Sequence, residues 1–123
     1  MPVHGISGDL LDLLLCLGKE QHPYEFVAVL QERNNIIEDL NLVPGTISNE
    51  SSASVLIDML PLDTHRIGSA HSHPNGVLTP SPADLGFFPR MGRYHIIVGH
   101  PYGRKNWRCY TAGGSPYDLK VIE

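Results

Sequence analysis

The sequence has few of the features that mark disulfide-rich or membrane-spanning proteins. It contains only two cysteines, Cys16 and Cys109, which lie far apart, so a disulfide framework and a four-cysteine zinc site are both excluded. The longest apolar run, residues 10–17, is interrupted by Asp12 and is far shorter than the roughly 18 residues that a membrane span needs. No basic region followed by an apolar stretch marks a signal peptide. We therefore expect a cytoplasmic protein with two free thiols and no membrane partner.

An excess of positive charge is also lacking. The formal net charge is −4 and the pI is near 5.9, which argues against a nucleic-acid partner, because such proteins usually need a basic face to neutralise phosphates. One local basic cluster remains, and it is either a solvated surface or a site for an acidic partner protein. Its members are Arg90, Arg93, Arg104, Lys105 and Arg108.

The chain of 123 residues fits one domain, covering residues 1–123, and its 41% hydrophobic content is enough for a packed core. Apolar periodicity and turn residues predict a single α/β domain with a mixed β-sheet flanked by helices. The predicted helices cover residues 7–18 and 81–92. The predicted strands cover residues 24–30, 36–43, 54–60, 66–73, 94–98, 107–110 and 118–122.

Two histidines carry the first sign of chemistry. His71 and His73 lie two residues apart on a predicted strand, so both imidazoles point to the same face and can converge on one ion. A catalytic zinc site commonly has three protein ligands and leaves its fourth position to water. Asp84 is the candidate third ligand, because the ten intervening residues contain enough turn formers to return the next helix to the end of the strand.

The segment before Asp84 has the pattern of a helix start. Ser81 is in the N-cap position and Pro82 in the first helical position, and the acid follows in the first turn. At a helix N-terminus the carboxylate of Asp84 is expected to stay ionised, as a metal ligand must. A role as N-cap is sufficient to explain Ser81 and does not exclude a catalytic one.

Taken together, His71-Ser72-His73-Pro74 followed by Ser81 and Asp84 resembles the motif H-x-H-P-x6-S-x2-D of the JAMM (MPN+) metalloproteases, without gaps. Upstream, His-Pro-Tyr-Glu-Phe at residues 22–26 is similar to the element of that family that carries its glutamate, here Glu25. The resemblance extends over nearly the whole chain. It implies the JAMM/MPN architecture, which is cytidine-deaminase-like.

The resemblance also implies an activity. One Zn²⁺ per chain would be held by His71, His73 and Asp84, and zinc-activated water would be the nucleophile. Glu25 would be the general acid/base, and Ser81 would donate a hydrogen bond to the oxyanion. The sequence is most similar to minimal archaeal members, which implies cleavage of the amide bond between the C-terminus of a ubiquitin-like modifier and a lysine side chain.

A non-catalytic MPN protein-interaction scaffold is the alternative. Such relatives usually lose one or more ligands, whereas all five motif residues are present here. A zinc deaminase is excluded because the H-x-E and P-C-x-x-C elements are absent. The substrate-binding residues, the natural ubiquitin-like substrate and a homo-oligomeric state are left open.

Overall fold

The computed structural model describes residues 2–42 and 66–123, and these ranges contain two helices and seven strands. In chain order they are β1 (Gly5–Ser7), α1 (Gly8–Gln21), β2 (Val27–Arg33), β3 (Ile36–Leu42), β4 (Arg66–His73), α2 (Pro82–Met91), β5 (Tyr94–Gly99), β6 (Trp107–Thr111) and β7 (Lys120–Ile122). The two helices are those that the sequence predicts. Neither of them has the length and apolar character that crossing a membrane requires.

The strands form one mixed sheet in the order β6-β5-β4-β2-β3-β1-β7. Strand β4 pairs parallel with β5 on one side and antiparallel with β2 on the other. Both edges of β4 are therefore hydrogen-bonded to neighbouring strands, so this strand is a rigid base for the side chains that it carries.

The two helices cover opposite faces of the sheet. On β2, Ala28 and Leu30 belong to the hydrophobic cluster that contains the buried leucines of α1, whereas Val27 and Val29 pack in a second cluster with Phe87 of α2. Successive residues of a strand point to opposite faces, so this alternation places one helix on each side. The predicted mixed sheet flanked by helices is confirmed.

Close approach of the strands requires glycine at Gly68. A Cβ on this residue would lie 1.5 Å from the carbonyl oxygen of Tyr94 on the neighbouring strand. Gly92, which ends α2 with a φ of 143°, lies against the carbonyl of Ile67. These two glycines allow β4, α2 and β5 to meet closely behind the site.

Some predicted boundaries are wrong. Helix α1 continues past Gly18 to Gln21, because this glycine is buried against the ring of Tyr102 and does not end the helix. The strand predicted from residue 24 begins at Val27, since the N–H of Tyr24 donates to the carbonyl of Gln21 in a turn after α1.

At the two ends of the chain, the short β1 was not predicted, and the last strand begins at Lys120 and not at residue 118. The predicted strand 54–60 lies outside the described residues.

Candidate metal centre

The two histidines of the motif, His71 and His73, lie on one face of β4, as their spacing predicts. In the sheet, His71 is opposite Val27 of β2 and Ile97 of β5, which both belong to the cluster packed against α2. The imidazoles therefore lie on the same side of the sheet as α2.

Asp84 approaches the histidines from the first turn of α2. After β4 the chain turns sharply, and the N–H of Gly76 donates to the carbonyl of His73 at 3.0 Å. At the start of α2, Oγ of Ser81 accepts from the N–H of Asp84 at 3.1 Å, and Oδ2 of Asp84 accepts from the N–H of Ser81 at 2.9 Å. The predicted N-cap is confirmed. This capping box holds the carboxylate where the helix dipole favours its negative charge.

The carboxylate of Asp84 meets the imidazole of His73. Nε2 of His73 lies 3.1 Å from Oδ2 of Asp84, and the two side chains are only 12% and 14% exposed. Nδ1 of His73 lies 2.8 Å from the carbonyl of Val77, which can only accept, so Nδ1 carries a proton and Nε2 faces the carboxylate. Two ligands of a tetrahedral zinc ion, each about 2.0 to 2.2 Å from the metal, are about 3.3 Å apart. The pair therefore has the spacing of two zinc ligands.

The pKa values of this pair move in opposite directions. Burial alone would lower the pKa of His73, but the hydrogen bonds with Asp84 and with the carbonyl of Val77 outweigh it and raise that pKa. Burial alone would raise the pKa of Asp84, but the hydrogen bonds with His73 and with the N–H of Ser81 lower it to about 2. The carboxylate is thus ionised at neutral pH, which metal binding requires.

His71 is more deeply buried, and its Nε2 has another partner. The residue is 7% exposed, and Nε2 lies 2.8 Å from Oγ of Ser69. Burial lowers the pKa of His71 to about 4, so the ring is neutral at pH 7, which is the form that binds metals. Among the described residues, no three His, Cys, Asp or Glu side chains are arranged to share one ion. The structure thus brings His73 and Asp84 together, and it places His71 beside them on the same face of β4.

Glu25 lies in the exposed connection between α1 and β2. The next residue, Phe26, is buried, and its N–H donates to Oγ of Ser72 at 2.8 Å, which attaches this connection to β4. Partial desolvation raises the pKa of Glu25, while the charge of His73 opposes this shift and the charge of Asp84 adds to it. Glu25 is therefore within electrostatic range of the pair, and a carboxyl with a raised pKa is suited to accept and return a proton.

The contributions of Ser69 and His95 were not predicted from the sequence. Both are completely buried, and Oγ of Ser69 lies 2.7 Å from Nδ1 of His95. The same period of two that pairs His71 with His73 also places Ser69 on their face of β4, so this signal was present in the sequence. The pairing of Ser69 with His95 depends on the register of β4 and β5, which the sequence does not reveal.

Two arginines of the predicted basic cluster, Arg104 and Arg108, have hydrogen-bond partners within the molecule. Arg104 donates from Nε and Nη2 to the carboxylate of Asp12 at 2.6 and 2.9 Å, and from Nη1 to Glu123 at 2.6 Å. Arg108 donates to the carbonyl of Trp107 at 2.7 Å. Arg104 therefore links the loop before β6 to α1 and to the last residue of the chain.

Comparison with known proteins decides the family. Residues 8–110 match the family model of the prokaryotic homologs of the JAB domain. This chain belongs to the prokaryotic JAB family. The resemblance to the JAMM/MPN+ proteins that the motif indicates is thereby confirmed.

Similar proteins support this assignment along nearly the full chain. A probable metalloprotease of Haloferax volcanii is 42% identical over 131 aligned residues, which cover 98% of this chain and 81% of the relative. The solved structure of a JAB1/MPN domain protein from Archaeoglobus fulgidus is 34% identical, with a TM-score of 0.81 over 97% of this chain and 99% of that one.

A further solved structure, described as JAMM, a metalloprotease-like zinc site in the proteasome and signalosome, is 33% identical, with a TM-score of 0.78 over 98% and 99% of the two chains. This JAB chain is thus metalloprotease-like in sequence and in fold.

Proposed function

We propose that this protein is a zinc-dependent isopeptidase. It hydrolyses the amide bond between the C-terminus of a ubiquitin-like modifier and a lysine side chain. His71, His73 and Asp84 hold one zinc ion, Glu25 is the general acid/base, and Ser81 stabilises the oxyanion. The observation that carries the proposal is the 3.1 Å contact between Nε2 of His73 and Oδ2 of Asp84, with Glu25 within electrostatic range of both.

The donor set fits zinc. Neutral imidazole and carboxylate are common zinc ligands, and three of them leave one position open. The hydrogen bond from Nδ1 of His73 to the carbonyl of Val77 is the kind of outer contact that orients a ligating histidine. Zinc supplies a Lewis acid that lowers the pKa of bound water to about 7 and polarises a carbonyl.

Glu25 is the group that moves the proton. Because its pKa is raised, its carboxylate is a better proton acceptor than an ordinary glutamate at neutral pH. The proton that it takes from the attacking water is then delivered to the nitrogen of the departing lysine. The N–H of Phe26 donates to Oγ of Ser72, which attaches the segment that carries Glu25 to β4.

Ser81 has the hydrogen-bonding capacity for two roles. Its Oγ already accepts from the N–H of Asp84 at 3.1 Å, which uses a lone pair and leaves the hydroxyl proton for another acceptor. Donation of that proton to the developing oxyanion stabilises the transition state more than the ground state.

The two free thiols favour a location in a reducing compartment. Cys16 and Cys109 are not paired with each other, as expected for a cytoplasmic protein. We therefore propose that the reaction takes place in the cytoplasm.

Cleavage of defined conjugates tests the proposal. The zinc-loaded protein is incubated with lysine conjugates of ubiquitin-like proteins, and mass spectrometry detects a free modifier carboxylate and a free lysine amine. The parent should cleave, Glu25→Gln should retain zinc and lose cleavage, and His71→Ala should lose zinc.

Glu20→Gln, at an exposed position on α1, is the matched control and should cleave like the parent. If Glu25→Gln cleaved as fast as the parent, the mechanism would be wrong. A parent protein that bound zinc and cleaved no conjugate would favour the scaffold.

A further inference from the structure

A buried chain of hydrogen bonds leads away from His71. Nε2 of His71 lies 2.8 Å from Oγ of Ser69, and that oxygen lies 2.7 Å from Nδ1 of His95. Nε2 of His95 lies 2.9 Å from the carbonyl of Gly92. Ser69 and His95 are 0% exposed, so water does not compete for these contacts.

The positions of the protons in this chain of hydrogen bonds follow from the group at its far end, the carbonyl of Gly92. The carbonyl of Gly92 can only accept, so Nε2 of His95 carries a hydrogen and donates it. His95 is completely buried, and its two ring nitrogens face a hydroxyl and a carbonyl, with no carboxylate of the described residues hydrogen-bonded to the ring, which favours the neutral form. Its Nδ1 then accepts the hydroxyl proton of Ser69. Because Ser69 has only that one proton, its oxygen accepts from Nε2–H of His71.

The strand register and ring packing hold the side chains of this hydrogen-bond chain in place. Ser69 is opposite His95 in the register of β4 and β5, so the sheet itself aligns the hydroxyl with Nδ1. The ring of His95 stacks on Phe88 with centroids 4.2 Å apart and an angle of 1° between the planes. Phe87 meets the ring of His71 edge-on at 5.0 Å.

We infer that Ser69 and His95 are positioning residues for His71, and that they select the tautomer in which Nε2 is protonated and Nδ1 keeps the lone pair that a metal ligand needs. The inference rests on the proposed metal site. A ligating histidine almost always donates its other ring N–H to an outer partner, and loss of such a partner lowers metal affinity about 10- to 100-fold.

Two substitutions test the chain of hydrogen bonds at different points. Ser69→Ala removes the hydroxyl that accepts from His71. His95→Phe keeps a ring against Phe88 and removes both nitrogens, so the hydroxyl of Ser69 becomes able to donate to Nε2 of His71. The expected tautomers differ: a mixture for Ser69→Ala, and a shift towards the Nδ1-protonated form for His95→Phe.

Ser72→Ala is the matched control. Ser72 is also a buried serine of β4, at 1% exposed, but its Oγ accepts from the N–H of Phe26 and does not contact His71. This variant should unfold at a lower temperature than the parent, because a buried N–H loses its acceptor, and should keep the parental tautomer of His71.

¹⁵N NMR of the imidazoles in the metal-free protein identifies the tautomer of His71. Competition with a chelator measures the zinc affinity. Parent and Ser72→Ala should show His71 protonated at Nε2 and equal zinc affinity. Ser69→Ala and His95→Phe should bind zinc about 10- to 100-fold more weakly, with circular dichroism like that of the parent.

Parental tautomer and parental zinc affinity in Ser69→Ala would overturn the inference. If Ser69→Ala did not fold, the His71 tautomer and the zinc affinity of His95→Phe would decide whether the inference holds. A parent that bound no zinc would overturn the proposed metal site, and the tautomers in the metal-free protein would still decide whether Ser69 and His95 orient His71.

Discussion

Nε2 of His73 lies 3.1 Å from Oδ2 of Asp84, although the two residues are eleven apart in the chain. The strand-to-helix turn and the capping box of Ser81 create this contact. Because Nδ1 of His73 donates its proton to Val77, the two facing atoms both carry lone pairs unless a proton lies between them. A cation at this position satisfies both, and this is the physical basis of the proposed zinc site.

Replacement of the carboxylate should remove the metal. Asp84→Asn keeps the shape of the side chain but loses the charge, so zinc affinity should fall by more than the roughly 100-fold that loss of an outer partner causes. Chelator competition measures the affinity. Asp9→Asn, in the first turn of α1, is the matched control and should bind zinc like the parent. Equal affinity in the two variants would exclude Asp84 as a ligand.

The two roles of Ser81 can be separated by a second N-cap. Ser81→Ala should lower the free energy of unfolding by about 1 kcal/mol through loss of the cap. It should also lower kcat about 100- to 1000-fold through loss of the oxyanion contact. Ser7 caps α1, with Oγ accepting from the N–H of Leu10 at 3.4 Å. Ser7→Ala should therefore lose stability and keep the parental kcat. If Ser81→Ala and Ser7→Ala changed kcat equally, Ser81 would be an N-cap without a catalytic role.

Local patterns predicted the parts of the site that local chemistry controls. The shared face of His71 and His73 follows from the period of a strand, and the position of Asp84 follows from the Ser-Pro start of α2. Both are present in the structure. The placement of Glu25 near the pair came only from family resemblance, since an acid in an exposed connection has no local signature.

Parts that depend on distant pairing were not predictable in the same way. Strand β1 is three residues long, and its partners are β3 and β7, both far along the chain. The contact of Ser69 with His95 depends equally on which strands lie side by side. Gly18 looked like a helix end, because its packing against Tyr102 is a tertiary contact.

The two thiols should react very differently in the folded protein. Cys16 is exposed, whereas Cys109 is buried, and burial raises the pKa of its thiol to about 12. The thiolate is the reactive form, so a maleimide or disulfide reagent should label Cys16 rapidly and Cys109 only after unfolding. Mass spectrometry of peptides from native and denatured samples gives the two rates. Equal labelling of the native protein would contradict this burial.

Acid should destabilise the zinc-free protein. Burial lowers the pKa of His71 and of His95 to about 4, so between pH 6.5 and 4 the unfolded chain binds protons that the folded chain does not. Stability therefore falls as the pH falls through this range, and below it the lowered pKa of Asp84 adds a further loss. The raised pKa values of His73 and Glu25 act in the opposite direction, but their shifts are smaller than those of His71 and His95.

Thermal unfolding with a chelator present measures this dependence. The midpoint should fall by several degrees between about pH 7 and about pH 5. His95→Phe removes one of the titrating groups, so its midpoint should change less over the same interval. A midpoint that rose on acidification would mean that the two histidines are not held neutral.

Anomalous X-ray diffraction at the zinc edge, from crystals of the zinc-loaded protein, locates the ion and its ligands. We expect one zinc peak per chain, bounded by His71, His73 and Asp84, with the carboxylate of Glu25 facing the open position. A peak held by other residues, or density that leaves any of the three side chains turned away from the ion, would contradict the proposed zinc site.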